Sequence, residues 1–74
     1  MTILSKEEKI TIINSRIRGL EHQQYSFQVD LLVENAKATP NQDSIDTINE
    51  SLEEISNQML VLNQELTRVD ELEE

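Results

Sequence analysis

The 74-residue chain contains no cysteine and no tryptophan, and only one glycine, one proline, one histidine, one tyrosine and one phenylalanine. Without cysteine, neither a disulfide nor a thiolate metal site can staple a domain this small. A chain this short buries too small a share of its surface to be robust alone. So few aromatics leave little for an active site or for a nucleic-acid stacking platform. The scarcity of glycine and proline argues against a loop-rich or β fold. Long hydrophobic runs are also missing, and no stretch has the length of apolar sequence that spans a bilayer. Lys6, Glu7, Glu8 and Lys9 interrupt the first residues, Met1 to Ile13, which therefore do not read as a secretory signal. The expectation is a soluble, intracellular protein with no membrane association.

Positive charge is the other shortage: 6 Lys and Arg stand against 15 Asp and Glu, for a net charge of -9. The imbalance lies in the second half. Residues 1–38 balance, whereas residues 39–74 set Arg68 alone against Asp43, Asp46, Glu50, Glu53, Glu54, Glu65, Asp70, Glu71, Glu73 and Glu74. Such a surface repels phosphate backbones and anionic lipid, so direct nucleic-acid binding is not expected.

What the chain does have is heptad patterning. Ile45, Ile48, Leu52, Ile55, Met59, Leu62, Leu66 and Val69 alternate steps of three and four without a slip. This is a seam that must be buried against another helix. A partner seam precedes it: Ile10, Ile13, Ile17, Leu20, Gln24, Phe27, Leu31, Glu34 and Ala38. Gly19 costs about 1 kcal/mol relative to alanine in a helix interior, but Ile17 and Leu20 keep the phase across it. Ser5-Lys6-Glu7-Glu8 has the capping-box pattern, which starts the first helix at Ser5 or Lys6. Thr2 is a competing cap. Lys37 would suit the carbonyl end of that helix.

Thr39-Pro40-Asn41-Gln42-Asp43-Ser44 is the single breaker cluster. Pro40 disfavours a helical Thr39, and can open a second helix as its first residue with Thr39 as cap and Gln42 completing a capping box. Asn41 and Asp43 are equally suitable caps. A connection this short makes the helices antiparallel neighbours. The reading is therefore all-α: an antiparallel two-helix coiled-coil hairpin, helix at about 5–38, turn at about 39–42, helix at about 42–70, then an acidic tail over 70–74. Two registers keep apolar opposite apolar. One pairs Leu31 with Ile55, Phe27 with Met59, Leu20 with Leu66 and Ile17 with Val69. The other, with a tighter turn, pairs Leu31 with Leu52, Phe27 with Ile55, Leu20 with Leu62 and Ile13 with Val69.

Tyr25, Val29, Leu32 and Ala36 form a second stripe at steps of four, three and four, with Val33 beside it. It lies roughly opposite the first seam, where a two-helix hairpin offers no cover. This is the candidate partner interface, against the plainer reading of tolerated surface residues. A hairpin of this size is marginal alone, so association into a larger helical bundle, as a homo-oligomer or with a partner protein, is expected. Gln24 reads equally as a register-fixing core polar residue or as an incidental one, and Glu34 as a solvated carboxylate near a fraying turn.

Little else in the sequence carries chemistry. His22 has no second His or Cys at ligand spacing. Glu53 and Glu54 point in different directions on a helix and do not make an acid–base pair. Asn49-Glu50-Ser51 matches a glycosylation triplet, with nothing to indicate secretion. With no P-loop, glycine-rich fingerprint or nucleophile motif, we expect no enzyme activity, no cofactor, no metal and no small-molecule substrate.

The run SKEEKITIINSRIRGLE, followed by Tyr25 and by ENAKATPN at residues 34–41, resembles small acidic coiled-coil proteins of tailed bacteriophages, among them tail-fibre assembly chaperones. That resemblance rests on residues 5–41, size and charge. It implies a viral protein made in the bacterial host cytoplasm, acting in virion assembly or as part of a virion. Chaperones of this class are better known for intermolecular coiled coils, whereas Pro40 here folds the chain back on itself.

Overall fold

The computed structural model describes residues 3–72. It contains two helices, α1 over Lys6–Asn35 and α2 over Gln42–Asp70, packed against each other as a hairpin, with no strand among the described residues. The molecule is a rod of 57 × 19 × 15 Å.

Local chemistry explains where each helix begins. Ser5 Oγ accepts from the backbone N–H of Glu8 at 3.1 Å, and the backbone N–H of Ser5 donates to Glu8 Oε1 at 3.1 Å, closing the capping box in both directions. The alternative cap Thr2, and the tail residues Glu73 and Glu74, lie outside the described residues. For α2, Asn41 is the cap: its Oδ1 accepts from the N–H of Ser44 at 3.2 Å. Pro40 therefore precedes the cap and is not the first helical residue. The Asn41 side chain thereby satisfies one of the backbone N–H groups that a helix start leaves without an intrahelical partner.

The end of α1 differs from expectation. The helix stops at Asn35, three residues short of 38, and the connection runs over residues 36–41. Ala36 caps it, donating its N–H to Leu32 and Val33 carbonyls at 3.1 and 3.2 Å. Ala38 consequently leaves the seam and is exposed, and Lys37 belongs to the turn and not to the last helical turn. Pro40 keeps Thr39 out of the helical region, and the chain reverses over the whole of residues 36–41.

Packing follows the two seams. Every seam position from Ile10 to Glu34 in α1 and from Ile45 to Val69 in α2 is at least partly covered. Ile13, Ile55 and Val69 are the most deeply buried apolar side chains, Val69 retaining 1% and Ile55 4% of its surface. Leu20 and Leu62 line one groove together, and Ile10 and Asn14 share another with Leu66, Thr67, Asp70 and Glu71. These neighbours match the tighter register, in which Ile13 meets Val69 and Phe27 meets Ile55.

Candidate functional site

Four of the five candidate interface residues stand on the outer face of α1 toward the turn, and the fifth, Ala36, is its C-terminal cap, in helical conformation. Tyr25 and Leu32 keep 69% and 71% of their surface exposed, and Val29, Val33 and Ala36 are exposed as well. Their placement follows from helix geometry. Residues four, three and four apart stack on one side of a helix, and the seam residues Gln24, Phe27, Leu31 and Glu34 occupy the other side of the same stretch. Tyr25 also meets Arg18, Glu21 and His22 in a shallow groove that extends the stripe toward the N-terminus as a polar surface.

From Tyr25 to Ala36 the only acidic or basic residues are Asp30 and Glu34. Glu34 is turned away from the stripe and into the turn. Only 7% of its surface remains exposed, which overturns the expectation of a solvated carboxylate. Its Oε1 accepts from Lys37 Nζ at 3.2 Å and its Oε2 from the backbone N–H of Asn41 at 3.3 Å. One side chain of α1 thereby holds the cap residue of α2. The hydrogen bond from Lys37 and then that from Asn41 keep the carboxyl below its ordinary value, outweighing the opposing effect of partial dehydration.

Neither a protein-family model, a curated protein nor a solved structure matches the chain.

The outer face of α2 has the opposite chemistry. Asp43, Asp46, Glu50, Glu53 and Glu54 are exposed along it. Its one cation, Arg68, is engaged by Glu65 through two 2.7 Å hydrogen bonds, which hold the Glu65 carboxyl below and the guanidinium above their ordinary values. The helix therefore offers a partner a nearly pure negative field.

Three features were not singled out from the sequence. Glu34 as a turn latch is one. The second is the pair Leu60 and Val61, exposed on α2. The run Met59-Leu60-Val61-Leu62 carries that signal, since four consecutive apolar residues on a helix cannot all face one partner. The third is an open groove of about 750 Å³ beside Gly19, bounded by Arg16, Gln23, Asn57, Gln58 and Val61. Nothing lies within 4 Å of where a side chain on Gly19 would begin.

His22 is exposed, and Gln24 is half-buried on the seam. Among the described residues no group of three or more His, Asp or Glu side chains converges to hold a metal ion. No helix among them is long and apolar enough to cross a membrane.

Proposed function

We propose that this protein is a non-enzymatic interaction module, a structural component or assembly chaperone of a phage-like particle, working in the bacterial host cytoplasm or within the virion. The exposed stripe Tyr25, Val29, Leu32, Val33 and Ala36 carries the proposal. A hairpin that commits its seams internally and still presents a contiguous apolar face has a surface suited to another helix. The resemblance of residues 5–41 to small tailed-phage proteins supports the assembly role.

The acidic outer face of α2 favours a second reading, an inhibitor that occupies a basic site on a host protein. The two readings use different helices. Capture experiments with host extract and virion proteins separate them. Loss of a bound partner on Val29→Ser with Leu32→Glu supports assembly through α1. Loss on converting Glu50, Glu53 and Glu54 to Gln, with binding that weakens steeply as salt rises, supports the inhibitor.

A further inference from the structure

Resting on the interaction reading above, we infer that the occupant of the α1 stripe is a second copy of this chain, running antiparallel about a two-fold axis between Val29 and Leu32.

Spacing is the first argument. Steps of four, three and four read the same in both directions. An antiparallel copy therefore brings stripe onto stripe with no offset, as a self-complementary two-fold interface requires. Size is the second. In that register Tyr25 lies against Ala36 of the second copy, and Val29 against its Leu32. The largest side chain meets the smallest, and the intermediate ones meet each other. A parallel pair would instead stack Tyr25 on Tyr25 and leave Ala36 facing Ala36, a bulge at one end and a gap at the other.

Charge is the third argument. The overlapping segments contribute only Asp30, which lies off the stripe, and Glu34, which is latched in the turn. A strongly basic partner would gain nothing from this face. A stripe docked on α2 of another copy would meet its carboxylates. Stripe on stripe, each α2 lies on the far side of its own α1. Within the overlap the two acidic helices are then separated by about three helix spacings of 8–10 Å, beyond the screening length of about 8 Å at physiological salt. The patch is about 16 Å long at 1.5 Å per residue, smaller than a standard interface. The pairing is accordingly weak and populated at high micromolar concentration.

Sedimentation equilibrium on the full chain tests the inference. The wild type is expected to dimerise, and Leu32→Glu to weaken the dimer by roughly a hundredfold, because each substitution occurs twice in the interface. Leu60→Glu, on α2, is the control and is expected to leave the dimer intact. Leu32 and Leu60 are both exposed, so neither change disturbs the folded hairpin, and circular dichroism verifies this. Orientation is read with a spin label on Arg18→Cys, which the absence of native cysteine makes unique. An antiparallel pair places the two labels about 40 Å apart, a parallel pair within about 20 Å. A wild type that stays monomeric and folded at high micromolar concentration overturns the self-pairing, while capture of another partner through the stripe would still uphold the interaction reading. A dimer that survives Leu32→Glu, or one lost equally with Leu60→Glu, overturns the stripe as the contact. A short label distance overturns the antiparallel arrangement.

Discussion

The two helices are nearly equal in length, 30 and 29 residues, yet they distribute their apolar side chains differently. In α2 these residues concentrate on one face, so the helix is strongly amphipathic. In α1 they lie on two opposed faces and cancel, leaving almost no net amphipathicity at a similar average hydrophobicity. A helix with one apolar stripe is satisfied by one neighbour, whereas a helix with two is satisfied only between neighbours. Charge reinforces the contrast, since α1 is close to neutral and α2 is acidic. In the hairpin α2 covers its seam and leaves only Leu60 and Val61 as large apolar side chains in the open, whereas α1 leaves a whole second stripe uncovered.

Substitutions on the seam and on the stripe should have unequal consequences for the folded chain. Ile55→Ala removes a buried seam side chain and is expected to cost about 2–5 kcal/mol, enough to unfold much of so small a domain. Leu32→Ala on the stripe is expected to change the stability of the monomer by less than about 0.5 kcal/mol. Urea unfolding at low micromolar concentration, where pairing is absent, measures both. Equal losses would mean that the stripe is already buried within the hairpin.

Ser5→Ala is expected to destabilise α1 by about 0.5–2 kcal/mol, because the backbone N–H of Glu8 loses its hydroxyl acceptor while the backbone N–H at position 5 can still donate to the Glu8 carboxylate. The loss should appear first as fraying of the N-terminal end of α1 in amide exchange. In the opposite direction, Gly19→Ala is expected to add about 0.8–1.0 kcal/mol, since the new methyl group meets open space and the backbone there is ordinary helix. A thermal scan that shows destabilisation would mean the groove beside Gly19 is tighter than described.

The smallest expected effect concerns the contact that joins the two helices at the turn. The Lys37 and Asn41 hydrogen bonds favour the ionised form of Glu34, so its folded pKa lies below the unfolded one. Its contribution is fully present above the unfolded carboxylate pKa and is lost as pH falls through the folded one. Glu34→Gln keeps a neutral acceptor for the Asn41 amide but loses the Lys37 ion pair. The wild type should therefore melt above Glu34→Gln at neutral pH, with the gap closing on acidification. A gap that stays constant into strongly acidic pH would count against the latch.

The fold was legible because its determinants are local or periodic. The capping box at Ser5 and the unbroken seam from Ile45 to Val69 need only sequence spacing to be recognised. The exposure of Tyr25, Val29, Leu32, Val33 and Ala36 followed from the same periodicity. The turn was less legible. Glu34 reads as a misplaced charge in its own heptad, and only the position of the Asn41 amide, seven residues on, turns it into a buried acceptor. The register was ambiguous for a related reason: a shift of one helical turn keeps apolar against apolar, and the path through residues 36–41 decides between the two. Leu60 and Val61 were obscured by neighbours that fit the seam.

The stripe occupies the turn-proximal end of a 57 Å rod and not its middle. Two hairpins joined there would overlap over only about 16 Å and point away from each other. Pairing would then add length and scarcely any girth, giving a spindle of about 100 Å with its acidic helices on opposite sides of the joint. Even the single hairpin, with a radius of gyration of 17.1 Å against the roughly 11 Å of a compact chain this long, drags more solvent than its mass suggests. If two copies pair as inferred above, the span between their free tips would depend on concentration, nearly doubling when the chains meet.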